Sequence, residues 1–153
     1  MCILVFCKLN TASEVQYLKE IITALMIWLG ANTTFDTNHD TPMVVFLPQS
    51  ELNQMYYNEP KVKNSDLHGL YDKDSDIIYL PDDWDRRKPW DLGVLLHEIM
   101  HYLQDMNEIE FNCHQEMERD VWPTQRDYLK KVHNYEWDYD ELWYKMISTC
   151  NPF

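Results

Sequence analysis

From Trp90 onward, Leu92, Leu95, Leu96, Ile99 and Leu103 recur at intervals of three and four, a stripe that only a helix gathers onto one face. Pro89 and Asp91 stand where a first helical turn favours them. Within this stripe lies His97-Glu98-Ile99-Met100-His101. Residues four apart on a helix differ by about 400° of turn and about 6 Å of rise, so the two imidazoles leave the helix on the same side. Glu98, three residues before His101, flanks that side.

The rest of the chain is read by period and punctuation. Thr11-Ala-Ser-Glu14 has the pattern of a capping box. Val15, Leu18, Ile21, Ile22, Leu25, Met26 and Leu29 then keep a helical period, which predicts a helix over 12–30 with a stop at Gly30 and Asn32. Met43 to Leu47, between two prolines, reads as a strand, and a short helix is expected over 50–57. The runs 67–71 and 76–80 read as two further strands, joined by the polar turn Asp72-Lys-Asp-Ser75. After the helix that carries the histidines, two more are expected over 112–132 and 139–149. The order predicts an α+β fold of one domain, 1–153: an N-terminal helix, a small, mostly antiparallel sheet, the histidine helix and C-terminal helices.

Twenty-six acidic residues against thirteen basic ones give a net charge of -13, spread along the chain. Such a surface repels phosphate backbones, so no nucleic-acid partner is expected. A cationic substrate is compatible with it, but surplus acid that keeps the chain soluble explains the charge without one. Cysteines at 2, 7, 113 and 150 lack the paired spacing of a cysteine-built metal site. The apolar run Met1 to Cys7 is short and has no basic flank, so it does not read as a secretory leader. Ile21 to Leu29 falls well short of the roughly 20 residues of a membrane span. A soluble protein without a membrane span is expected.

Two imidazoles on one helix face, with a carboxylate beside them, are the donors of a divalent-cation site, and imidazole with carboxylate favours zinc. Zinc lowers the pKa of water it holds toward about 7, so a carboxylate placed like Glu98 can generate hydroxide at neutral pH. That is hydrolytic chemistry. Three fixed identities in five residues also arise by chance. The strongly amphipathic helix around them, and the glutamate-bearing helix that follows, argue against accident here.

A third ligand is needed, and Glu116 and Glu118 compete. On one continuous helix they would lie about 200° apart, so both cannot face the same cation. Glu118 shares its face with Trp122 and Gln125. Glu116 has Asp120 four residues later, the Glu-x-x-x-Asp spacing of thermolysin-like enzymes, where the aspartate orients a zinc-binding histidine.

Several stretches together resemble a known group. Asp76-Ile-Ile-Tyr-Leu-Pro81, Trp84 and Leu92-Gly-Val-Leu-Leu-His-Glu-Ile-Met-His-Tyr-Leu-Gln104 are similar to small bacterial proteins with a gluzincin-like site. The likeness continues through Cys113, Glu118, Trp122, Gln125 and Tyr128-Leu129. It reaches back to Trp28, Val44-Val45-Phe46 and Met55-Tyr-Tyr57 and forward to Cys150, and so covers most of the chain. The resemblance implies a zincin-like fold and a glutamate third ligand, and it selects Glu118. It implies no substrate, because the group is known mainly by its pattern. This chain departs from it at Met100 and Tyr102, where Val and a further His are usual, and at Asp120-Val121, where a more apolar pair is usual; neither change touches the proposed ligands.

The expected function is a zinc-dependent hydrolase, a peptidase acting on a peptide or protein. His97, His101 and Glu118 are its ligands, and Glu98 activates the water that attacks an amide carbonyl. The alternative is a binding or toxin-like module that keeps the metal site without turnover. His133, Tyr102 and Tyr128 are candidates for steadying an oxyanion. Gln104 and Gln125 are candidate outer partners of the ligands, although an amide on a helix face is more often solvated. His114 and His133 are weighed as further ligands, with a capping or surface role favoured for His133 at a helix end. Cys113 and Cys150 can form a disulfide in an oxidising compartment. Trp84, Trp90, Trp122, Trp137 and Trp143 are read first as core or rim aromatics.

Overall fold

A computed structural model describes residues 12–60 and 66–152. Thr11 of the expected capping box, Cys2, Cys7 and the run Met1 to Cys7 lie outside the described residues. Backbone contacts gather the chain into two compact units, Met1–Trp84 and Asp85–Phe153. In order the elements are α1 (Ala12–Asn32), β1 (Met43–Leu47), α2 (Gln49–Tyr57), β2 (Leu70–Asp72), β3 (Ile77–Pro81), α3 (Pro89–Met106), a 3-10 turn (His114–Met117), α4 (Glu118–His133) and α5 (Glu141–Ser148). The fold is α+β: among the described residues, five α-helices and one three-stranded sheet.

In the first unit, α1 buries Leu18, Ile22, Leu25, Met26 and Leu29. It runs past Gly30 to Asn32, where the sequence predicts a stop. Gly30 is not in the left-handed conformation of a helix terminator. Its value is space, since a β-carbon there would stand 2.8 Å from Thr37 Oγ1. The helix ends where Thr33 claims the Leu29 carbonyl with its N–H at 2.9 Å and its hydroxyl at 2.7 Å.

The sheet order is β1-β3-β2. Pairing of β3 with β1 is parallel, from Met43↔Ile77 to Leu47↔Pro81, and with β2 antiparallel, from Leu70↔Tyr79 to Asp72↔Ile77. The sheet is therefore mixed, which corrects the mostly antiparallel sheet expected. The connection from β1 to β3 contains a helix and a strand, longer than the dozen or so residues a parallel crossover needs. β2 starts only at Leu70 because α2 takes both backbone groups of Leu67. Its N–H donates to Asn53 Oδ1 at 3.0 Å, and its carbonyl accepts from Gln49 Nε2 at 2.8 Å. β3 starts one residue late because Asp76 has φ 56°, a left-handed conformation that a strand excludes. Ile78 and Leu80 of the central strand are fully buried, and Trp84 lies against Phe46 with ring centroids 5.9 Å apart.

In the second unit, α3 and α4 run antiparallel. Gly93 meets Leu129, His97 meets Gln125, and Gln104 meets Met117. Val94, Leu95, Leu96, Ile99, Leu103, Val121 and Leu129 are buried, each such side chain contributing about 1.5–3 kcal/mol relative to exposure. The single helix expected over 112–132 is instead a 3-10 turn followed by α4, which starts at Glu118. Pro123 sits inside α4 and has no N–H for the Arg119 carbonyl. The Tyr144 hydroxyl of α5 donates to that carbonyl instead, so the helix defect becomes the docking point of α5. Asp140 caps α5, accepting from the Trp143 N–H at 2.6 Å, and sets its start two residues later than expected.

Cys113 and Cys150 are joined in a disulfide that ties the residue before the 3-10 turn to the end of the chain. Trp90, Trp122, Trp137, Tyr139 and Tyr144 form a chain of ring contacts, with the Arg126 guanidinium 4.4 Å above Tyr139. Trp143, 53% exposed, is not a core residue. Among the described residues, no helix is long and apolar enough to cross a membrane.

Candidate metal centre

The apolar stripe of α3 is buried, which fixes the rotation of the helix and with it the direction of its polar residues. His97 and His101 project from one side with their Nε2 atoms 3.1 Å apart. Glu118, the first residue of α4, faces them, with Oε1 3.1 Å from His101 Nε2 and Oε2 3.3 Å from His97 Nε2. The donor atoms of all three residues lie within 4.8 Å of one another.

The outward nitrogens of both rings are engaged. His97 Nδ1 is 2.9 Å from Gln125 Oε1, and His101 Nδ1 is 2.9 Å from Gln104 Oε1. An amide oxygen only accepts, so each Nδ1 carries a proton and donates it. In the neutral ring Nε2 is then a bare lone pair. Two lone pairs and a carboxylate thus converge on one point, and Glu118 Oε2 is buried there without a well-directed hydrogen bond. Such a cluster is stable only around positive charge.

Zinc fits it. Bonds of about 2.0–2.1 Å at tetrahedral angles separate donors by about 3.3 Å, against the 3.1, 3.1 and 3.3 Å found. A proton is the other cation the cluster can hold. Burial works against a charge on His97, but the Glu118 carboxylate, Glu98 and Gln125 outweigh it and hold the imidazole up at about 9. Burial likewise opposes the charge of Glu118, yet His101 and His97 keep its carboxyl well below the usual range.

Glu98 is buried, 7% exposed, and its charge acts on His97. Glu116 is turned away from the cluster. Its Oε2 accepts from the Asn112 N–H at 2.9 Å and from Asn112 Nδ2 at 3.0 Å, and these bonds lower its carboxyl. The two glutamates diverge as expected, although the 200° relation of a continuous helix does not apply across the junction at Glu118. His114 is exposed on the 3-10 turn. His133 Nε2 is 3.0 Å from the Tyr128 hydroxyl, whose phenol burial pushes up to about 12. Tyr102 is buried on α3.

Gln104 and Gln125, candidate outer partners of the ligands, are both buried, 3% and 2% exposed, rather than solvated. For Gln104 the spacing of three from His101, on the same helix face, was the available signal.

These features define an α+β chain whose second unit holds a pre-formed group of two histidines and one glutamate. Residues 14–152 match the family described as Domain of unknown function (DUF6647), and the chain belongs to that family. No curated protein and no solved structure matches it.

Proposed function

We propose that this protein is a zinc-dependent hydrolase of gluzincin type, cleaving an amide bond in a peptide or protein, with a zincin-like fold. The observation that carries the reading is the convergence of His97 Nε2, His101 Nε2 and Glu118 at 3.1–3.3 Å. The order of elements supports it, with the histidine helix after the strands and the third donor on the next helix.

Zinc bound there would acidify water and polarise a carbonyl oxygen. The protein's own groups do the remainder. In their neutral form His97 and His101 present bare Nε2 atoms, because Gln125 and Gln104 accept from their Nδ1–H groups. Glu118 supplies one negative charge, which would leave a dication held there only partly neutralised and electrophilic. Glu98 accepts the proton of the attacking water and returns it to the departing amine.

A non-catalytic metal module is the second reading, favoured by the burial of Glu98. Glu98→Gln and His101→Ala separate the two. A hydrolase loses peptide cleavage by orders of magnitude in Glu98→Gln while keeping zinc, and loses both in His101→Ala. Peptide cleavage equal to wild type in Glu98→Gln removes Glu98 from the chemistry.

A further inference from the structure

We infer that Gln104 is a positioning residue that organises two of the three proposed ligands through one amide. The inference rests on the metal-site reading above for its consequence, not for its geometry. Gln104 Oε1 accepts from His101 Nδ1–H at 2.9 Å, while its Nε2 donates to the Met117 carbonyl at 2.8 Å. The second bond fixes which end of the amide faces the imidazole, since a carbonyl cannot donate. Met117 is the last residue of the 3-10 turn, and its peptide leads directly into Glu118. One side chain therefore sets the tautomer and direction of His101 and also holds the backbone that delivers Glu118.

The chemistry of this position is specific to an amide. A carboxylate could accept from His101 Nδ1–H but would face the Met117 carbonyl with a second acceptor and repel it. An aliphatic side chain would serve neither partner and would leave the His101 N–H and the Met117 carbonyl without these bonds. Gln104 is 3% exposed, so water does not readily replace it. Gln125 shares only the first half of this role, since its Oε1 faces His97 Nδ1. Loss of a partner of this kind typically weakens metal binding by about 10–100-fold.

The test compares wild type, Gln104→Leu and Gln104→Glu by two readouts. Nitrogen-15 spectra of histidine-labelled, zinc-free protein at alkaline pH report which ring nitrogen of His101 carries the proton. Competition with a chromophoric chelator reports zinc affinity. The inference expects an Nδ1–H His101 in wild type and in Gln104→Glu, and a mixed or Nε2–H ring in Gln104→Leu. It expects zinc affinity to fall about 10–100-fold in both variants, because Gln104→Glu rescues the histidine but not the Met117 anchor. A wild-type His101 protonated at Nε2 overturns the inference without any variant, so misfolding of Gln104→Leu cannot shield it. Wild-type zinc affinity in Gln104→Glu overturns the coupling to Glu118. A wild type that binds no zinc, yet keeps the Nδ1–H tautomer, sinks the metal reading and leaves the hydrogen-bond role standing.

Discussion

A β-carbon added to Gly93 would stand 2.9 Å from Leu129 Cδ2, with Leu129 Cγ and Cδ1 at 3.2 and 3.3 Å. This contact sets how closely α3 approaches α4, one turn from His97 and its partner Gln125. Leu129 is fully buried, so its side chain gives way only by pressing on close-packed neighbours. Gly93→Ala gains up to about 1 kcal/mol of helix propensity but overpacks the seam at a cost of about 1–3 kcal/mol. A net loss of up to about 2 kcal/mol in denaturant unfolding is expected, together with weaker zinc binding.

Glu118 and Glu116 separate the ligand from its neighbour. Glu118→Ala removes one of three donors, and zinc affinity measured by chelator competition should fall by at least about 100-fold. Glu116→Ala should bind zinc near the wild-type level, because that carboxylate is occupied by Asn112. A reversed order would move the third ligand to Glu116 and give a thermolysin-like spacing.

The zinc-free protein should show a pH dependence with a definite sign. His97 stands at about 9 in the folded chain against an ordinary value of 6.5, so its contribution is full below about pH 6.5 and is lost as pH rises through about 9. The linkage is on the order of 3 kcal/mol. Glu118 acts in the opposite direction: its lowered pKa stabilises the fold above the ordinary carboxylate range, and that contribution is lost in acid. Urea unfolding of chelator-treated protein should therefore show stability falling between pH 6.5 and 9. With saturating zinc the trend should invert, because the metal needs the unprotonated ring.

The Cys113–Cys150 disulfide spans 37 residues and anchors the segment that leads into Glu118. Cys150→Ser should cost about 2–4 kcal/mol in unfolding and should also weaken zinc binding by loosening the approach to α4. Unchanged stability and affinity in this variant, or in protein reduced with a phosphine, would show the bridge to be incidental.

The metal-capable group was legible because its determinants are local. His97 and His101 are set by a four-residue spacing within one apolar stripe, and Glu118 was reached by a likeness to the gluzincin-like group. What was not legible depends on contacts distant in sequence. The parallel pairing of β1 with β3 needs the register of strands separated by α2. The shortening of β2 follows from Asn53 and Gln49 capturing Leu67, which no periodicity records. Likewise, the break before α4 and the docking of Tyr144 onto the carbonyl freed by Pro123 required knowing where α5 returns. Gln104 and Gln125 stood in the sequence as candidate partners of the histidines, but their burial is decided by the facing helix, which the sequence does not record.

Zinc stoichiometry coupled to thermal stability tests the central claim most directly. The expected result is about one zinc per chain in protein purified without chelator. Stability should be lost on chelation and regained on zinc addition, by about 2.7 kcal/mol when free zinc is 100 times the dissociation constant. Both effects should be abolished in His101→Ala. Protein that carries no zinc and whose melting temperature does not move when zinc is added would contradict the account, and would leave His97, His101 and Glu118 as a buried group neutralised by a proton alone.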